Sequence, residues 1–211
     1  MHSLFFYFLL LYFLGTAIFF AVDFYFWWME RFPRWKIGRW EKEADWSSCV
    51  FKRGLKWLPK VPAVPVTQNK HLLLMDLLRG DYTRKWVQAW QTGGLLLGVS
   101  EYSLEQSAEA HRKTILHFID ENGHWKTPPK NVDFAILAFA FLKNHPHPNF
   151  LKPAMDEVIA IIENQIGEDG LIAYSTRKNI RYVDTLGLVC PFLVLYENTY
   201  QTKKYAVLAV S

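Results

Sequence analysis

Residues 166–193 read IGEDGLIAYSTRKNIRYVDTLGLVCPFL, and residues 119–142 read IDENGHWKTPPKNVDFAILAFAFL. Each stretch begins with an isoleucine at the end of an apolar-periodic helix. An acidic turn closing on glycine follows, then an aromatic or apolar residue, a polar loop, and Val-Asp opening a strongly apolar helix. Gly123 and Gly170 are 47 residues apart and Asp133 and Asp184 are 51 apart, so the second loop is longer by four. A repeat of about 50 residues holding two helices is one αα-hairpin, a unit that stacks on copies of itself or closes with them into a ring. The more apolar helix of each pair belongs on the inside. Asp133 and Asp184 then take equivalent places, at the N-terminal end of an inner helix and at one rim.

Outward from the repeat the pattern stays helical. Apolar residues recur at helical spacing in Leu116, Phe118 and Ile119, and in Met155, Val158, Ile159 and Ile162. The spacing predicts helices over 70–79, 82–101, 104–121, 131–144, 151–166 and 184–200, with Pro153 in a first turn. Breaks fall at Gly80-Asp81, Asn122-Gly123, the NHPHPN run of 144–149, and Gly167 to Gly170. No strand ladder is expected, and the class is all-α. Residues 31–69 form a basic, Trp-rich juxtamembrane segment followed by the run LPKVPAVPV. Its prolines fix φ and disfavour helix at the residue before each, so it reads as an extended linker or surface arm. Residues 70–211 form the folded body.

Residues 1–30 have a different chemistry. Leu4 to Val22 is a run of nineteen uncharged residues. At the helical rise it covers about 28 Å, enough for a bilayer core. Trp27 and Trp28 stand where an aromatic belt belongs. No Lys or Arg precedes the run and no small-x-small site follows it, which favours a transmembrane anchor over a cleaved signal. Arg31, Arg34, Lys36, Arg39 and Lys42 follow the run, and by the positive-inside count they leave the body on the cytosolic side. The two cysteines, Cys49 and Cys190, build no disulfide framework, in keeping with that side. The net charge of +4 carries no Lys/Arg run or basic helical face, which argues against a nucleic-acid partner. No CxxC or HExxH is present, so neither a zinc site nor another cofactor is expected.

The two aspartates raise the functional question. An ionised carboxylate beside an apolar helix is costly unless something pairs with it. The plain structural role is helix N-capping, which stabilises by about 1 kcal/mol and suits the helix dipole. Caps and catalysis are compatible, and two carboxylates at one rim near Trp and Tyr also form an acid/base pair. A helix N-terminus by itself favours the charged, basic form. An acid role needs burial or the partner's charge. His124 and Trp125 sit in the first loop at the same rim, as ligand contacts or as surface packing. Lys178 and Arg181 in the second loop are either partners for a sugar carboxylate or solvated cations. His145 and His147 alternate with prolines and read as a turn rather than a metal site. Trp86 and Trp90, four apart, read as one helix face.

The second repeat resembles the motif of the unsaturated uronyl and rhamnogalacturonyl hydrolases, glycoside hydrolase families 88 and 105. There a Gly-rich turn and loop lead to aromatic-x-Asp, a small residue and PFL, as in YVDTLGLVCPFL here. NVDFAILAFAFL is similar to the earlier Asp-bearing inner helix, and WQTGGLLLGVSEYS, from Trp90, to the first inner helix. The resemblance covers residues 70–211. It implies an (α/α)6 barrel, a six-hairpin toroid, that removes a terminal 4,5-unsaturated uronic acid from an oligosaccharide by hydrating the double bond. It makes Asp184 the general acid/base that protonates the enol-ether carbon and activates water. Asp133 becomes its supporting carboxylate and Tyr182 a ring that stacks on the sugar. Trp125, His124, Arg181 and Trp90 would be further sugar contacts. Rhamnogalacturonyl members carry a His where this chain has Ala173, eleven residues before Asp184. The chain is also short for six hairpins and ends within what reads as the next helix. The expectation is therefore an incomplete toroid, completed by a C-terminal half or by self-association. Two other readings stand beside the hydrolase: a non-catalytic toroid that binds glycan or a partner protein, and a different glycosidase or cyclase of the same architecture.

Overall fold

Both copies of the repeated turn close through the same backbone hydrogen bonds, 47 residues apart. Lys126 N–H donates to Phe118 O (2.8 Å), as Ala173 N–H does to Gln165 O (2.9 Å). Asp120 N–H donates to His124 O (2.9 Å), as Gly167 N–H does to Leu171 O (2.9 Å). Gly123 N–H closes on Asp120 O at 3.2 Å and Gly170 N–H on Gly167 O at 3.0 Å. Both glycines hold positive φ, +83° and +77°, which a side chain adopts only under strain. The helices that follow start alike at the 51-residue offset: Phe134 N–H bonds Asn131 O (3.4 Å) and Thr185 N–H bonds Tyr182 O (3.1 Å).

The computed structural model describes residues 2–35, 41–58, 63–66, 78, 83–86, 88–174 and 182–210. In chain order the elements are α1 (His2–Trp35), α2 (Glu43–Trp57), β1 (Ala63–Val66), β2 (Thr83–Trp86), α3 (Ala89–Tyr102), α4 (Leu104–Phe118), α5 (Phe134–Asn144), α6 (Pro148–Asn164), α7 (Val183–Tyr200) and α8 (Tyr205–Val210). Helix dominates and the class is all-α, with an apolar helix at the N-terminus. The chain divides into two units, 1–49 with 63–86 and 50–62 with 87–211.

In the first unit, α1 contains Leu4–Trp28, 25 residues with an apolar window of mean hydropathy 2.3, and none of that window's residues is buried. It is long and apolar enough to cross a bilayer. The same unit holds a short antiparallel pair, with Ala63 opposite Trp86 and Val66 opposite Thr83. This corrects the expectation of helix from residue 82. Trp86 lies on a strand and shares no helix face with Trp90. Pro65 is tolerated because a two-stranded pair has only edges. The helix expected over 70–79 lies outside the described residues apart from Leu78.

In the second unit, α3 packs on α5 and α5 on α7, while α4, α6 and α8 each pack on the helix of their own hairpin. Ser103 alone separates α3 from α4, and its hydroxyl accepts Gln106 N–H (3.4 Å) as the cap of α4. Gly93 explains a glycine inside a helix: a Cβ there would come within 2.9 Å of the Ile136 and Leu137 backbone of α5. Buried His111 bridges α4 and α5, its Nε2 3.2 Å from Ala140 O. Pro148, not Pro153, occupies the first turn of α6, and Pro153 lies within the helix. Ala154 N–H donates instead to Gly123 O (3.0 Å), which ties the first loop to α6. His145 and His147 form a turn, with His147 N–H 3.1 Å from His145 Nδ1. Glu197 caps α8 through the Ala206 N–H at 2.9 Å.

A Cβ at Gly123 would lie 2.0 Å from Phe150 O, whereas one at Gly170 meets nothing within 4 Å among the described residues. Gly170→Ala therefore loses about 1 kcal/mol, from φ strain alone, and Gly123→Ala loses more than about 2 kcal/mol because the α6 backbone must also move. Urea unfolding of the two variants in detergent measures the difference, and equal losses would contradict this packing.

Candidate active site

The candidate site is built by the starts of α5 and α7 and by Asn131 and Tyr174 in the loops that precede them. Asp133 sits at the start of α5 and is only 3% exposed. Its backbone is already helical (φ −61°, ψ −22°), and its side chain makes no capping bond. The carboxylate turns instead to Tyr174, whose hydroxyl donates to Asp133 Oδ2 at 2.8 Å. The Asn131 side-chain amide donates to the same oxygen at 3.3 Å. Asp184 occupies the equivalent place on α7 but is exposed, and among the described residues no group hydrogen-bonds its carboxylate. Asp133 thus makes no capping bond, and Asp184 lies in the first turn of α7, where its charge suits the helix N-terminus.

Burial pushes the Asp133 pKa up, Tyr174 opposes this by its hydrogen bond, and the charge of Asp184 raises it further. Tyr174 is pushed up to about 12, first by burial and then by Asp133 and Asp184. It stays a protonated donor throughout the physiological range. Tyr182, 48% exposed, meets Tyr174 edge to face at 5.0 Å between ring centroids. Beside them Thr185 is buried, with its hydroxyl unpartnered among the described residues. The result is a buried carboxyl group with a raised pKa and an exposed Asp184 whose charge reaches it, with the Tyr174 and Tyr182 rings alongside. That arrangement offers two carboxyl groups in unlike surroundings for acid/base work.

The other expected residues are not all brought here. Trp125 is in the core, 5% exposed, between Phe118, Phe134 and Phe141, with its Nε1–H donated to Ala154 O at 2.7 Å. It plugs the first turn as Ile172 does the second, because a large ring with one donor fills that gap best. His124 is exposed and pairs through Nδ1 with Glu157 at 2.8 Å. Trp90 is on the exposed side of α3. Arg181 and Lys178 lie outside the described residues. Ala173 is fully buried. Tyr174 and Asn131 were not legible as site residues: they approach Asp133 from loop positions, and Tyr174 does so across 41 residues. No family model, curated protein or solved structure matches the chain.

Tyr174→Phe removes a donor to a buried carboxylate and costs about 1.5–3 kcal/mol. Asp133→Asn keeps an acceptor for Tyr174 and removes the charge. Because the folded Asp133 pKa is raised, its contribution to stability is fully present below its ordinary value near 3.8 and is lost as pH rises through the folded value. Stability measured against pH is therefore expected to fall across that window in the wild type and less in Asp133→Asn. Parallel curves would rule out a raised Asp133.

Proposed function

We propose that this protein is a membrane-anchored, glycosidase-like αα-toroid acting on the terminal unsaturated uronic acid of oligosaccharides. The observation that carries it is the pair of equivalent rim carboxylates in opposite environments. In this reading Asp184, open to solvent, delivers a proton to the enol-ether carbon of the 4,5 double bond. It then takes a proton from the water that adds to the neighbouring carbon. The hemiketal so formed opens and the leaving sugar departs. Asp133, held by Tyr174 and Asn131, binds a sugar hydroxyl. Tyr182 offers its exposed ring to the sugar face. In this reading the hairpins close into a ring with further hairpins or with a second copy, and the basic residues after α1 support a body on the cytosolic side.

A second reading is favoured by Ala173, which puts no functional group where related enzymes carry a His. It is a non-catalytic toroid that binds glycan at the same rim.

The measurement is loss of the ultraviolet absorbance of the conjugated double bond on mixing the full-length protein with unsaturated uronyl disaccharides. Turnover is expected, and Asp184→Asn is expected to reduce it about 10²–10⁴-fold, the range for a general acid/base. Turnover equal in wild type and Asp184→Asn refutes the assignment. Binding without turnover by the wild type supports the second reading.

A further inference from the structure

α2 turns one face onto the folded body and another outward. On the inner face Phe51 stacks on Tyr102 of α3, centroids 4.5 Å apart and planes at 26°. Gly54 lies so close to α3 that a Cβ would come 2.7 Å from Val99 Cγ1, and Leu58 beyond the helix is buried. Val50, Arg53 and Trp57 recur at intervals of three and four and form a separate stripe. Val50 is 52% exposed and Trp57 44%, and the Arg53 guanidinium lies 5.9 Å from the Trp57 ring centroid. Trp46, one turn before Val50, is 42% exposed. Lys52 and Lys56 are exposed beside the stripe, and residues 50–58 hold three cations and no carboxylate.

The described residues leave this stripe, with its outward Trp residues and flanking cations, half-exposed. It matches what a helix lying in a bilayer interface presents: a ring for the headgroup level and Lys/Arg for anionic lipid. Covalent connection selects the occupant. Glu43 opens α2 fifteen residues after Trp28, the end of the apolar stretch of α1. Fifteen residues reach at most about 50 Å even when fully extended, so a bilayer spanned by α1 is always within range of α2.

We propose that α2 is an interfacial membrane-binding helix, its Val50–Arg53–Trp57 stripe seated among anionic headgroups of the bilayer that α1 spans. The proposal stands apart from the catalytic reading and needs only the anchor. Seated this way, α2 lies between lipid and α3 and holds the folded body against the membrane.

The test uses the full chain, one copy per nanodisc, with Cys49 and Cys190 replaced by Ser and an environment-sensitive fluorophore on Val50→Cys. Discs contain phosphatidylcholine alone or phosphatidylcholine with phosphatidylserine. The expected result is blue-shifted emission quenched by a lipid-borne spin label, severalfold more in the anionic discs. Arg53→Glu with Lys56→Glu removes most of that quenching, while a probe on exposed Glu105→Cys of α4 is not quenched. A water-like probe at position 50 in both discs overturns the proposal. A shielded probe that lipid labels do not quench also overturns it, in favour of a protein partner. Equal quenching in the two discs overturns the anionic-headgroup assignment.

Discussion

The rim depends on one backbone exchange made twice. A loop residue returns to donate its N–H to the last turn of the preceding helix: Lys126 to Phe118, and Ala173 to Gln165. Buried backbone groups must find partners, and this pairing satisfies them while folding the chain back along the helix it has just left. The positive φ of Gly123 and Gly170 makes the reversal tight enough. The chain is then delivered to the next inner helix from the same side each time. Two aspartates far apart in sequence come to one edge as a consequence, without any contact being selected between them directly.

The same delivery gives the two carboxylates unlike surroundings. Asp133 enters under the cover of Tyr174 and is desolvated. The second loop is four residues longer than the first, and Asp184 is exposed. Burial, above all, raises the Asp133 pKa from its ordinary value. Nothing in the apolar inner helices has to change for this to happen.

What was legible in the sequence is what local chemistry writes: the glycine turns, the repeat offsets, the apolar N-terminal helix and the apolar helices after each loop. The repeat also held the correct reading of Trp125, because at the turn's offset it aligns with Ile172, which packs partly buried against the core. Capping was the plain structural role that residue type suggested. Asp133 makes no capping bond because it takes a helical backbone, whereas a cap normally needs an extended one. Tyr174 was beyond reach, since its partner is set by how two hairpins stack. The strand pair around Pro65 and the Thr83–Trp86 segment was missed because strands this short carry no usable alternation. α2 was missed because its cations and exposed tryptophans masked a core-facing edge of Phe51 and Gly54.

Ala154 connects to the first loop at both of its backbone groups, donating to Gly123 and accepting from the Trp125 indole. Around Gly170, by contrast, an added Cβ meets no atom of the described residues within 4 Å. The first turn is therefore fastened to α6 through its own backbone, so a shift of α6 carries that turn with it.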